Sequence, residues 1–234
     1  DPVRYRIEAM SLHEDSIQLL RQMVRIPSLS GEEEAVAACV GAALDRFGIP
    51  YENVRSNLLA LNQHFDPGKP TLALDAHLDT VPVNNGYTRD PLDPGCNPDI
   101  VYGLGSNDDG GSVVSMIAAF RHFFEREMPV NLMLILSREE EVSGPDGTRW
   151  LFAPDGLFAS GGGYPMPRWV IVGEPTGMQA ATSERGLLVL DGEGSISGEE
   201  ETLPLQKGVS LFIPAGFGAY RVTGDGLKLL ETRV

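Results

Sequence analysis

Apolar positions in this chain follow a helical period at first and then fall into short runs separated by turns. Ile17, Leu19, Leu20, Met23 and Val24 share one helical face within residues 13–25, and the Ile26-Pro27 step stops the run, since proline cannot donate to the ladder. The segment Ser28-Leu29-Ser30-Gly31-Glu32-Glu33-Glu34 offers an N-cap candidate followed by first-turn acids. It predicts an alanine-rich helix that runs to about Phe47 and ends at Gly48. Residues 57–62 predict a short strand and residues 71–76 a better one. A polar loop rich in Pro, Asn and Gly covers 82–99, and Val101 to Gly105 predicts a strand leading through a glycine-punctuated turn into a helix at about 111–126. Residues 131–137 are almost wholly apolar, as in a strand covered on both faces. A loop through Gly161, Gly162 and Gly163 separates them from a strand at 169–172. Strands alternating with helices predict an α/β fold, a mixed sheet flanked by helices.

The pattern changes after Leu190. Helical periodicity ends, and short runs at 187–190, 203–205, 209–213, 218–222 and 227–234 alternate with Gly-rich turns, as in a β-meander or half a barrel. The expected organisation is an α/β domain over 1–190 and a β-rich tail over 191–234.

Composition narrows the function. With 234 residues and 42% hydrophobic content the chain can bury a sizeable core, yet no apolar run approaches the ~18–20 residues that span a bilayer. The net charge of −15 argues against nucleic acid and anionic membranes as partners, because both require basic patches. Two cysteines, Cys39 and Cys96, are too few for a disulfide framework. With no basic-then-apolar leader at the N-terminal end, they point to a reducing compartment, the cytoplasm.

The candidate chemistry lies in four acidic motifs, each placed at the end of a predicted strand: His77-Leu78-Asp79, Asn107-Asp108-Asp109-Gly110-Gly111, Glu139-Glu140-Glu141 and Gly173-Glu174-Pro175-Thr176. Each has a plain alternative. His77 and Asp79 share a strand face and could form a simple strand-end hydrogen bond. Asp108 could cap a helix, the glutamate run could be a solvated face, and Glu174 could be a turn residue. Alternation past a buried strand would, however, point at least one of Glu139, Glu140 and Glu141 into the sheet's crevice. Several strand ends meeting at one sheet edge would crowd these carboxylates around one imidazole, and crowded carboxylates need a cation. That donor set suits a divalent transition metal, zinc first, singly or as a pair.

The stretches LDAHLDTVPV (74–83), YGLGSNDDGG (102–111), SREEEVSG (137–144) and VGEPTG (172–177) resemble the M20 family of dinuclear zinc aminoacylases and exopeptidases. Within it they are most similar to acetylornithine deacetylases and succinyl-diaminopimelate desuccinylases, and ATSERGLLVLDGE (181–193) resembles the passage into that family's lid domain. The resemblance covers about residues 10–192. It implies His77 as a ligand of one metal with Asp79 orienting it, Asp108 as the bridge between two metals, and a cis peptide after Asp108. It also implies Glu141 on the second metal, Glu174 completing the first, and Glu140 as the general base toward metal-held water. Zinc or cobalt, one or two per chain, is the implied cofactor. A small N-acyl amino acid is the implied substrate, with arginine biosynthesis as the first expectation.

The family pattern is not complete. A histidine near the family's C-terminus serves the second metal and another stabilises the tetrahedral intermediate. Here His13, His64, His77 and His122 are the histidines, and none follows the Glu174 motif. Gly110 stands where the family often has lysine. Residues 192–234 instead resemble the cupin-like C-terminal strands of type I mannose-6-phosphate isomerase, notably KGVSLFIPAG (207–216), without a histidine. The family's catalytic sheet also draws strands and helices from beyond the lid, and without them an edge or apolar face is exposed unless the tail covers it, with aggregation or a homodimer as the expected consequence. The leading expectation is a metal-dependent amidohydrolase with a weakened second metal site. An inactive metal-binding or assembly protein of this fold, and a sugar-phosphate isomerase fragment, are the alternatives.

Overall fold

The computed structural model describes residues 2–159, 163–176, 184–198, 202–214 and 220–233. The chain separates into two compact units, Asp1–Pro175 and Thr176–Val234.

The first unit is built on a five-stranded mixed sheet of order β1-β2-β4-β3-β5, with β1 Glu52–Val54, β2 Asn57–Leu61, β3 Thr71–His77, β4 Asn131–Ser137 and β5 Trp169–Val172. β1 and β2 form a hairpin and β2 runs antiparallel to β4, whereas β3 lies parallel to both β4 and β5. The parallel pair β3–β4 needs a long crossover, and α3 (Gly110–Phe123) supplies it. Alternation on the central strands sorts two cores. Leu58, Leu74, Ala76, Leu132, Leu134 and Leu136 face the helices α1 (Pro2–Val24), α2 (Glu34–Arg46) and α3. Leu59, Ala73, Met133 and Ile135 face the opposite side, against Leu151, Phe158 and Tyr164 near the short helix α4 (Thr148–Leu151). All seven residues of β4 are buried, which accounts for its unbroken apolar run. The edge strand β5 leaves Trp169, Val170, Ile171 and Val172 between 38% and 58% exposed. Among the described residues no helix is long and apolar enough to cross a membrane.

Three local readings change. α1 begins at Pro2 rather than His13. Residues 101–109 form turns, not a strand, so Asp108 stands at the mouth of α3 and not at a strand end. Ser30 does not cap α2, whose N-cap is Glu33 without a side-chain cap bond; Ser30 is drawn away by Asp79, as described below.

The second unit is a β-sheet with β6 (Glu184–Ser197) between β7 (Thr202–Gln206) and β8 (Ser210–Pro214), and with β9 (Arg221–Arg233) also paired to β6. Val189, Ile196 and Leu205 are its buried core. β6 runs unbroken through the expected boundary at 190/191, so the compact unit begins earlier than the change in hydrophobic pattern suggested. The pairing of β6 with β9 shifts register around Asp191, where Gly192 takes φ +85° and a Cβ would sit 2.6 Å from the Gly226 carbonyl oxygen. Parts of the expected Gly161–Gly163 loop, of the 181–193 passage and of the 207–216 and 218–222 segments fall outside the described residues.

Candidate metal centre

Parallel pairing carries the chemistry to one edge of the sheet. His77 of β3 registers with Ser137 of β4, and Asp75 of β3 with Val172 of β5. The segments after these strands, carrying Asp79, Glu140, Glu141 and Glu174, therefore emerge together. The mouth of α3 adds Asp108 and Asp109, whose peptide bond is cis, as the resemblance implies.

His77 is 3% exposed. Its Nδ1 lies 3.0 Å from the Asp79 carbonyl oxygen and 3.4 Å from Asp79 Oδ1. Its Nε2 lies 3.1 Å from Asp108 Oδ1 and 3.9 Å from Glu140 Oε2. Two sets of potential ligands form around it, His77 with Asp108 and Glu141, and His77 with Glu140 and Glu174; within each set the donor atoms lie within 4.8 Å of one another. This grouping differs from the expected one: Glu174 joins Glu140 rather than Asp108, and both sets draw on the same imidazole. His13, His64 and His122 belong to neither.

Asp79 links the histidine to the glutamate turn. Only 1% exposed, it accepts the Ser30 hydroxyl at 2.7 Å and the backbone N–H groups of Glu140 and Glu141 at 3.0 and 3.2 Å. Ser30 reaches it because Leu29 bridges Thr80, whose N–H donates to the Ser28 carbonyl at 2.8 Å. Burial alone would raise the Asp79 pKa, but the hydrogen bonds from His77, Ser30 and Glu140 outweigh it and hold the carboxyl below its ordinary value.

A second clamp lies beneath the turn. Glu33, fully buried, accepts the N–H groups of Gly31 at 2.7 Å and Glu139 at 3.1 Å, and its Oε2 lies 2.8 Å from Arg138 Nη2. Arg138 Nη2 also stands 3.3 Å from Glu139 Oε1, and Glu139 Oε2 accepts the Asp146 N–H at 3.0 Å. Glu139 adopts φ +55°, a conformation that side chains disfavour and that these contacts hold in place. So the buried acid of the triplet is structural. The turn, not strand alternation, brings Glu140 and Glu141 to the open side, where the Asp108 and Glu140 side chains are 52% and 44% exposed.

The electrostatics are those of a site built around a cation. Burial and neighbouring carboxylates push Glu174 up to about 7 and Asp109 to about 6, and raise Glu141 as well. Asp75, buried behind His77 and hydrogen-bonded by Ser137 Oγ at 3.0 Å, rises to about 7 through burial above all. For His77 burial is the largest single influence and disfavours the charged ring, yet Asp79, Asp109 and Glu140 together raise its pKa to about 10. An imidazole in want of negative partners, ringed by carboxylates in want of positive ones, fits a divalent cation in place of the proton.

Gly110 has a steric reason to be glycine. A Cβ there would lie 2.5 Å from the Gly105 carbonyl oxygen and 2.7 Å from Leu20 Cδ1. Sequence reasoning passed over Ser30, Glu33, Asp75, Asp109 and Arg138. Asp109 and Arg138 were legible as neighbours of the motifs, whereas Ser30, Glu33 and Asp75 gave no signal distinct from a helix start and a strand interior.

Residues 73–213 match Peptidase family M20/M25/M40. The chain belongs to that family. The match takes in all four acidic motifs and reaches into the second unit, and so into the segment likened to the isomerase. A succinyl-diaminopimelate desuccinylase of Acidiphilium cryptum is 30% identical over 170 residues, 69% of this chain and 42% of that protein. One from Stenotrophomonas maltophilia is 30% identical over 190 residues, 77% of this chain and 48% of that protein. The chain thus spans less than half the length of these relatives. In fold it is similar to human carnosine dipeptidase 1, with TM-score 0.57 and 19% identity over 84% of this chain and 46% of that one. It is also similar to a Bacillus subtilis protein described as a dinuclear metal-binding peptidase of the M20 family, with TM-score 0.52 and 16% identity over 81% of this chain and 52% of that one.

Proposed function

We propose that this chain hydrolyses the amide bond of a small N-acyl amino acid, using water activated at a divalent cation, zinc or cobalt, held by His77, Asp108, Glu141 and Glu174. The observation that supports this most directly is the Glu140 carboxylate. It stands on the open side of the cluster, 3.9 Å from His77 Nε2, while its backbone is fixed by Asp79. When bound, the cation lowers the pKa of water toward neutrality and polarises the amide carbonyl. Glu140 takes the proton from that water at its carboxylate oxygen and passes it to the leaving amine nitrogen. Asp79 holds His77 by its Nδ1, so that Nε2 faces the carboxylates. The N–H bonds to Asp79 and Glu33 keep Glu140 and Glu141 from drifting as they gain and lose charge.

Acetylornithine and succinyl-diaminopimelate are the first substrates to try, the latter supported by the names of the relatives. A second reading, metal binding without turnover, is favoured by the shared imidazole, since both ligand sets depend on His77 for their only nitrogen. Hydrolysis of each substrate by the zinc- or cobalt-loaded chain, measured beside Glu140→Gln, separates the readings. Hydrolysis that falls at least ~100-fold in E140Q with metal content unchanged supports catalysis. A fully loaded wild-type chain that hydrolyses neither substrate, nor other N-acyl amino acids, overturns it in favour of metal binding alone.

A further inference from the structure

The loop from Arg138 to Gly147 carries the general base of the proposed reaction, Glu140, and one candidate ligand, Glu141, and its two feet meet at a buried side chain from another strand. Asn57, the first residue of β2, is fully buried. Its Oδ1 accepts the Arg138 N–H at 3.1 Å, and its Nδ2 donates to the carbonyl oxygens of Asp146 at 2.8 Å and Val54 at 3.0 Å. Two donors and an acceptor thus face two acceptors and a donor, an arrangement that suits an amide of this length and neither a carboxylate nor an apolar side chain. The feet also meet directly. A Cβ on Gly147 would collide with the Arg138 carbonyl oxygen, and Glu139 Oε2 accepts the Asp146 N–H at 3.0 Å.

The turn that delivers Asn57 is itself unfavourable. Arg55 and Ser56, which close the β1–β2 hairpin, take φ +53° and +67°. Two-residue turns of this kind favour Asn-Gly, because a Cβ is disfavoured in the left-handed region. Here the tip is fastened to both feet of the loop. Arg55 Nη1 donates to Asp146 Oδ1 at 2.6 Å, the Arg55 guanidinium lies 4.1 Å from the centre of the Trp150 ring in α4, and the Arg55 carbonyl accepts Arg138 Nη1 at 3.1 Å. Strain that persists because its surroundings over-determine it points to a functional constraint. Asn57 grips the feet of the loop, and Asp79 grips the Glu140 and Glu141 N–H groups between them.

We propose that Asn57 is a positioning residue for the hydrolytic site: by setting the separation of residues 138 and 146 it fixes the Glu140 and Glu141 carboxylates relative to His77. Its effect on turnover rests on the hydrolytic reading, whereas its effect on the loop needs neither substrate nor cation.

The test compares Asn57→Ala in the full chain with Phe158→Leu, a change in the core near α4 that controls for general loss of stability. In the metal-free chain, hydrogen exchange followed amide by amide by NMR is expected to be at least ~10-fold faster at Glu140 and Glu141 in N57A than in F158L, although both amides bond to Asp79 and not to Asn57. In the cobalt-loaded chain the absorption spectrum shifts in N57A and not in F158L, since Glu141 belongs to a ligand set. Turnover of the loaded chain falls about 10–100-fold in kcat with KM little changed, as when a reacting group is misplaced by about 1 Å. Equal exchange, or equal cobalt spectra, in N57A and F158L overturns the proposal. A cobalt-loaded wild type without turnover removes the hydrolytic reading, and exchange and spectra then decide the positioning role. Should N57A prove unfolded by circular dichroism, native-state exchange of the wild type in urea decides instead. Arg138, Glu140 and Glu141 amides that open with one free energy support the role, and Glu140 and Glu141 amides that open well before Arg138 overturn it.

Discussion

Asp79→Asn isolates the device that ties His77, the candidate metal ligand, to the glutamate turn. In the native chain one carboxylate faces four donors: the Ser30 hydroxyl, the N–H groups of Glu140 and Glu141, and His77. An asparagine side chain offers one acceptor oxygen in place of two. If the amide oxygen takes the side of Ser30 and Glu141, the NH₂ group confronts the Glu140 N–H and His77; the flipped rotamer strands the Glu141 N–H instead. Either way a buried donor is left unpaired, at about 1–3 kcal/mol, and the bonds that remain lose the charge assistance that roughly doubles them. The total comes to about 3–5 kcal/mol, against about 1 kcal/mol for Ser30→Ala, which removes one hydroxyl donor and leaves the rest intact. Urea unfolding of the metal-free protein, followed by tryptophan fluorescence, measures it. Trp150 and Trp169 both lie in the first unit, so the signal reports that unit. The companion readout is the imidazole of His77 by NMR. Its pKa of about 10 depends on Asp79 more than on any other partner and falls in D79N. Zinc affinity falls with it, by roughly 10–100-fold, as when the orienting partner of a ligand histidine is lost. An Asp79→Asn protein with an unchanged urea midpoint and an unchanged His77 titration would refute the reasoning.

Other outcomes follow from the same geometry. Arg138→Met leaves the buried Glu33 carboxylate without its cation and costs about 3–5 kcal/mol in the same urea experiment; Glu33→Gln combined with it recovers part of the loss, because the unpaired charge is then gone. Gly110→Ala forces a Cβ against the Gly105 carbonyl and costs about 1–3 kcal/mol by thermal or urea unfolding. Elemental analysis of zinc-loaded Glu141→Ala and Glu174→Ala shows less metal per chain than wild type in both, since each belongs to a different ligand set. The pH dependence of the metal-free protein runs opposite to ordinary acid denaturation over a defined window. Asp75 and Glu174 titrate near 7 when folded, against ordinary values of 3.8 and 4.5, so between those limits the folded state holds more protons and stability falls as pH rises. His77, raised from 6.5 to about 10, continues the loss above neutrality. Apo protein therefore melts at higher temperature near about pH 5.5 than near about pH 7.5, and added zinc reverses the order by displacing the proton from His77.

The strands and helices that build the first sheet were legible in the sequence because their burial is periodic. Leu132, Leu134 and Leu136 feed one core while Met133 and Ile135 feed the other, so the residues 131–137 had to be apolar throughout. The motifs that carry the candidate ligands were legible too, and the structure brings His77, Asp108, Glu140, Glu141 and Glu174 together. Sequence alone could not decide what surrounds them. Ser30 reads as a helix cap, but Asp79 offers it a charged acceptor across a separation of 49 residues, and the α2 terminus goes without a side-chain cap. Glu139, Glu140 and Glu141 are chemically identical. Only the positive-φ turn, gripped by Glu33 and Arg138, makes the first structural and turns the other two toward His77. Local patterning fixes which residues are buried along an element. Which donor meets which acceptor is settled by the parallel register of β3, β4 and β5, a pairing between distant segments that leaves no periodic trace in the chain.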